Sequence, residues 1–233
     1  MKLLMERLKK LHMEQRWMLL IGLGLSAPFA QADMSFNDPA PLIINGCEIK
    51  ARMQCNGADL SNADLRHLDL SNAVLKGANL EGADLRHATL TNADLKGANL
   101  KGANLSRADL RHADLRGAKL HNAKAIAINA WAMFAQGSHW DDANLTGANL
   151  EFARFSKAHM HRTNLTAANM EMVWFPKVDL FQANLSDATL QEAKLNDANL
   201  SEATLTGTRI HYATFQNAVM DGCTDCPFDW QKY

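Results

Sequence analysis

Aromatic side chains are scarce in this sequence, at 7% of 233 residues. That scarcity suits a thin core rather than a broad one. Charge of either sign is also lacking in excess: the formal net charge is −1, and a basic nucleic-acid footprint is therefore absent. There is no phosphate loop, no nucleophile elbow and no H-E-x-x-H stretch, so no enzyme class is signalled. No apolar run reaches the roughly 20 residues of a membrane span; the run Trp17–Ala27 has eleven. Cysteine is limited to four residues. One domain is the natural count for this length.

What is present is a repeat. Ala58–Asn122 reads ADLSN ADLRH LDLSN AVLKG ANLEG and onward through AKLHN, thirteen units of five without a slip. The third residue is Leu in every unit, Leu60 to Leu120, and the first is Ala in all but one, where Leu68 stands. A period of five fits neither a helix nor a plain strand. It fits a chain that turns a corner every five residues. Ala and Leu, two apart in extended backbone, face inward together, and the residues between and after them face out. Four such sides make a square coil of twenty residues, and coils stack at strand spacing, roughly 4.8 Å. Leu fills the bore, and small Ala lets the corners close. Asp or Asn before each Leu is placed to bond nearby backbone at the corner.

These units, A(D/N)LXX, resemble the pentapeptide-repeat family. The resemblance covers Ala58–Asn122 and resumes over Ala143–Gly222. It implies an all-β fold, a right-handed quadrilateral β-helix of about eight coils. The second block holds sixteen further units with apolar centres that include Phe155, Met160, Met170, Phe175, Ile210, Phe215 and Met220. Phe155 and Phe175, twenty apart, should stack as core.

The chain ends depart from the repeat. Met1–Ala32 reads as a secretory signal peptide: Arg7, Lys9, Lys10 and Arg16 precede the apolar run, and Ala30-Gln31-Ala32 is an A-x-A cleavage site. A buried or amphipathic N-terminal helix is the competing reading, and translation from Met13 would give a more compact signal. Cleavage leaves a chain starting at Asp33 with 19 basic and 23 acidic residues, net −4. Residues 33–57 form a linker, Asn37–Pro41, then an N-terminal cap carrying Leu42, Ile43, Ile44, Ile49 and Met53. An uncapped end would expose apolar bore and open strand edges. Residues 223–233, ending in the aromatic tail Pro227–Tyr233, should close the last coil; in this family such an end also serves as a homodimer contact.

Cys47, Cys55, Cys223 and Cys226 allow three pairings. Cys55 and Cys223 are 168 residues apart, about eight coils or roughly 40 Å, whereas a disulfide needs Cα atoms within about 7 Å. The expected pairs are local, Cys47–Cys55 and Cys223–Cys226, in an export compartment that permits them. The same distance excludes one four-cysteine zinc site. A redox role for Cys223-Thr-Asp-Cys226 is the alternative, without the βαβ context such motifs use.

The motif fails over residues 123–142, where the centres become Ala125, Ala130, Ala135 and Trp140. Ile126, Ala130, Met133 and Phe134 fall on one helical face, and Gly137 suits a helix C-terminus. The segment Lys124–Gln136 is thus a short helix or protruding loop, or else one degenerate coil. Exposed Trp131 or Phe134 would be partner contacts; projecting loops matter to gyrase-protecting members of the family. If the segment is a coil, His139, His159 and His161 converge on one outer face, either as a zinc or copper site or as plain solvated surface. Outer columns also align Lys76, Lys96 and Arg116, and Arg66 with Arg86, as a solvated ionic surface or an anion-binding stripe for envelope glycans or acidic headgroups.

A filled bore leaves no deep substrate pocket, and no cofactor is indicated. The expected function is a non-catalytic periplasmic or secreted scaffold of a bacterial envelope that binds a protein or cell-wall partner, with no span left after signal cleavage. The alternative implied by the resemblance is a DNA-mimicking inhibitor or protector of a type II topoisomerase (gyrase). That role needs a cytoplasmic protein and usually a strongly acidic rod, and both the leader and the net charge of −4 weigh against it.

Overall fold

A computed structural model describes residues 40–227. The leader Met1–Ala32, the linker prolines up to Pro39 and the tail Phe228–Tyr233 lie outside the described residues. Among the described residues no helix is long and apolar enough to cross a membrane.

The first element is a small antiparallel hairpin of β1 (Ile43–Ile44) and β2 (Cys47–Glu48). Its loop is Asn45-Gly46, with φ of 48° and 81°. Two consecutive positive φ values define the hairpin turn that Asn-Gly favours. Asn45 donates from Nδ2 to the Asp59 carbonyl at 2.8 Å, which ties the hairpin to the first coil. This hairpin stands where a cap is expected, and the apolar residues expected in that cap are not all buried. Met53 and Ile49 are buried, whereas Ile43 is 60% exposed.

Beyond the hairpin every fifth residue forms a parallel bridge to the residue twenty positions on. Asp59 pairs with Asn79, Asp64 with Asp84, Asp69 with Thr89 and Val74 with Asp94, which makes four faces per coil. The unit Ala78–Gly82 shows how five residues achieve this. Ala78 and Leu80 are fully buried. Asn79, between them, faces out while its backbone N–H donates back to Ala58 O at 2.9 Å, and Leu80 N–H donates forward to Asn99 O at 2.7 Å. Ala83 N–H donates to Leu80 O at 3.1 Å and closes the corner. The second corner residue takes φ near +60°, as at Gly82, Asn72 and His67. The outward Asp or Asn accepts the N–H two residues on, as in Ser71 N to Asp69 Oδ1 at 2.9 Å. Each buried Leu contributes about 1.5–3 kcal/mol, and the ladders satisfy the backbone that burial would otherwise strand.

The segment 123–142 is not a helix and does not protrude. It is a regular coil, bridged below through Asn104–Lys124 and Lys119–His139 and above through Lys124–Asn144 and Phe134–Arg154. The helical spacing of Ile126, Ala130, Met133 and Phe134 is incidental: Ala130 and Met133 point into the bore, while Ile126 is 39% exposed and Phe134 is half-buried on the outside. The centres change because volume is redistributed. Ile128 and Met133 occupy slots that elsewhere hold Ala, and Ala130 and Ala135 stand where Leu would be. Trp140 then fills the room left by the small centres, fully buried. Its Nε1–H donates to Ser138 Oγ at 2.7 Å, and Ser138 donates in turn to Ala135 O at 2.6 Å. Ser138 thus replaces Ala in its slot because the indole beside it needs an acceptor.

Above Trp140 the aromatic core continues. Phe155 lies 5.9 Å from the Trp140 ring and 5.2 Å from Phe175. Near the last coils burial relaxes, with Ile210, Ala213, Ala218 and Met220 only partly covered.

Candidate functional site: an aromatic groove beside a histidine face

In each unit the bore takes two residues and leaves three outward slots, the bridge residue and the two corner residues. Over most of the chain those slots hold Asp, Asn, Ser, Lys or Gly. Between His112 and Phe181 a number of them, gathered on two adjacent faces, hold aromatic, Met and His side chains instead.

On the first face Phe134, Arg154 and Trp174 follow one another up a single bridge column. Phe152 and Met172 stand in the corner column beside them. The Arg154 guanidinium carbon lies 5.4 Å from the centre of the Phe134 ring, a cation–π distance. Trp131 stacks edge-on between His112 at 4.8 Å and Phe152 at 5.8 Å. Phe134, Phe152, Arg154, Met172 and Trp174 line an open groove of about 610 Å³. Trp174 is 50% exposed. The corner side chains also carry backbone strain. Phe152 and Met172 have φ of 59° and 52°, a region in which a bulky L side chain costs roughly 1–2 kcal/mol. Every second-corner residue of the coil shares this conformation.

Of the two partner contacts expected from the sequence, Phe134 lines this groove and Trp131 lies half-buried at its edge. Phe152, Met172 and Trp174 were missed. The signal was available: Phe152–Met172 and Phe134–Trp174 are multiples of twenty apart in slots that the repeat turns outward.

The second face carries the imidazoles. His139, His159 and Asp179 follow up its bridge column, and His121, Asp141 and His161 occupy the next corner column. His139 and His159 stack at 4.9 Å with rings 6° from parallel. His121 Nδ1 is 3.1 Å from Asp141 Oδ2, and His161 Nε2 is 2.7 Å from Asp179 Oδ2. Burial, with His159 and His121 close by, holds the His139 imidazole below its usual range. Asp179 stays below the usual carboxylate range despite its burial, because the His161 imidazole lies against it. The structure thus brings His139, His159 and His161 together and adds His121, Asp141 and Asp179, which share their columns but were not singled out from the sequence.

Apart from Lys76, the residues of the cationic columns are engaged locally. Arg66 pairs with Asp64 at 2.6 Å, Arg86 with Asp84 at 2.6 Å and Arg116 with Asp114 at 2.6 Å, while Lys96 reaches both Asp94 and Asp114 at 3.1 Å. Such pairing favours the ionic-surface reading over an anion stripe. At the two ends Cys47 is bonded to Cys55 and Cys223 to Cys226, each with Cα atoms 5.8 Å apart.

The family profile described as pentapeptide repeats matches in eight copies over residues 54–92, 88–124, 143–180 and 183–222. The unmatched gap is the Trp140 coil. Among solved structures, the chain is similar to HetL from the cyanobacterium Nostoc sp. strain PCC 7120, a pentapeptide repeat protein involved in heterocyst differentiation regulation. Identity is 31% over 74% of this chain and 78% of that one, with a TM-score of 0.73. It is also similar to a pentapeptide repeat protein from the Arabidopsis thaliana thylakoid lumen, with 32% identity over 43% of this chain and 67% of that one and a TM-score of 0.31. QnrB1, a plasmid-mediated fluoroquinolone resistance protein, aligns at 20% identity over 72% of this chain and 89% of that one, TM-score 0.40. No curated protein matches the sequence.

Proposed function

The chain belongs to the pentapeptide-repeat family, and for this member we propose a non-catalytic role as an exported scaffold of a bacterial envelope that holds a protein partner in the groove of Phe134, Phe152, Arg154, Met172 and Trp174. The observation that carries this reading is the clustering of exposed apolar side chains in slots that are mostly polar elsewhere on the coil. An exposed aromatic cluster with one Arg among it has the composition of a protein-binding hot spot. Export rests on the three-part leader and is supported by the two local cystines, which belong in an oxidising compartment. Topoisomerase protection by DNA mimicry is the less favoured reading: the carboxylates of Asp64, Asp84, Asp109 and Asp114 are each covered by an Arg and do not present an open line of negative charge.

Two measurements test the proposal. Cell fractionation with N-terminal sequencing is expected to find a chain beginning at Asp33 outside the cytoplasm; full-length protein in the cytoplasm sinks the export reading. Cross-linking in intact cells is then compared for wild type, Phe152→Ser with Trp174→Ser, and Tyr212→Ser. Tyr212 is 70% exposed and far along the chain from the groove. A partner lost only from the double variant supports the groove, and an unchanged set of partners from all three rejects it.

A further inference from the structure

The geometry points to a zinc(II) site on the histidine face, formed by two trios one coil apart: His121, His139 and Asp141, and His159, His161 and Asp179. In each trio the donor atoms lie within 4.8 Å of one another. Ligands about 2.1 Å from a tetrahedral zinc sit about 3.4 Å apart, so each trio closes on an ion by small side-chain rotations. Two imidazoles and a carboxylate leave a fourth position open for water or for a ligand group. Imidazole donors select a borderline transition metal over calcium or magnesium, which take oxygen ligands.

Three features distinguish these trios from a chance patch. Four of the nine histidines in the chain fall in two adjacent columns. His161 Nε2 is sealed from solvent and makes no well-aligned hydrogen bond, although Asp179 Oδ2 approaches to 2.7 Å. Both carboxylates are already held from behind. His161 N–H donates to Asp141 Oδ1 at 3.0 Å, and Asn199 Nδ2 donates to Asp179 Oδ1 at 2.9 Å. Such outer partners orient ligands in metal centres. A comparison exists within the same chain. His67 and His87 stack at 4.9 Å with rings 6° apart, the same geometry as His139 and His159. Their neighbouring carboxylates, Asp64 and Asp84, are engaged by Arg66 and Arg86, so no trio forms there.

The test uses purified full chain stripped with a chelator and then given ZnCl₂ alone, with MgCl₂ and CaCl₂ as separate arms. Bound metal is counted after dialysis, and Co(II) substitution reports coordination geometry by its visible absorption. Wild type and His67→Gln with His87→Gln are expected to retain at least one zinc per chain and to give a tetrahedral Co(II) spectrum. His139→Gln with His159→Gln should bind zinc more weakly by over the roughly 10–100-fold that outer-shell changes cost, with an unchanged far-UV spectrum and metal-free melting. Less than one zinc per wild-type chain, equal retention by both double variants, or equal retention of magnesium or calcium overturns the site. These readouts are independent of any partner in the aromatic groove.

Discussion

At the scale of the residue, the protein is a set of slots with fixed demands. The outward Asp slot pairs a carboxylate with the corner N–H and often with an Arg. Asp64 is the extreme case: the hydrogen bonds from Arg66 pull its carboxyl down to about 2 from the usual 3.8. Asp59, Asp69 and Asp84 are lowered through bonds of the same kind. A carboxyl with a depressed folded pKa stabilises the fold fully above its unfolded value and loses that contribution as pH falls through the folded value. The carboxylate contribution to the melting temperature is therefore expected to hold from neutrality to about pH 4 and to fall between about pH 4 and 2, below a separate decline that His139, with its lowered imidazole, begins near pH 6.5; Asp64→Asn should make the acid descent shallower, as thermal melts across that range will show. The second corner slot demands positive φ, which Gly meets at no steric cost. Met172→Gly should relieve strain at φ 52° and raise stability by up to about 1 kcal/mol, while weakening capture of the groove partner. A lower melting temperature together with undiminished capture would contradict both the relief of strain and the contact of Met172 with the partner.

At the scale of the element, a coil is a shared volume. Three centres of the Trp140 coil are Ala, and one indole uses the room. Trp140→Ala should cost about 3–5 kcal/mol. Ser138→Ala removes the acceptor of a buried indole N–H and should cost about 1–3 kcal/mol. When Trp140→Leu is already present, Ser138→Ala should cost less, because no buried donor is left unpaired. Additive losses in urea unfolding of this double-mutant cycle would contradict the coupling. This coil is also where the sequence was least legible. Leu at every fifth position from Leu60 to Leu120 reads directly as a bore, since one residue type fills one slot. Over 123–142 the bore is kept by exchanging large and small residues between two slots, and a rule that tracks Leu alone sees a gap. The hairpin at Ile43–Glu48 was not read from the sequence, where its strands are too short to show alternation and only the Asn45-Gly46 pair signals a turn. Of the histidine face, the twenty-residue spacing of His139 and His159 was visible. The carboxylates Asp141 and Asp179 were not, because Asp is so common in outward slots that only coordinates reveal which ones meet an imidazole.

At the scale of the whole coil stack, the ladder makes one turn interchangeable with the next. Excision of Ala83–Gly102 joins Gly82 to Ala103, a junction of the same kind as the one lost, and every slot keeps its direction. That variant is expected to fold, to form both cystines and to keep the groove and the histidine face, with a lower melting temperature from lost core. Excision of only Ala83–Arg86 puts bore residues into corners and should abolish cooperative melting. Circular dichroism of the two variants distinguishes them, and a cooperative melt of the four-residue deletion would contradict the slot description.

The Asn79 slot, outside the bore yet stitched to both neighbouring coils through its backbone, has a consequence for descent. Its side chain adds bonds to the Glu81 N–H and to Asp59, but the main-chain ladder that joins the coils forms whatever residue stands there. A lineage can therefore rewrite the exterior of such a molecule one letter at a time, and can lengthen or shorten it by whole turns, without passing through a broken ancestor.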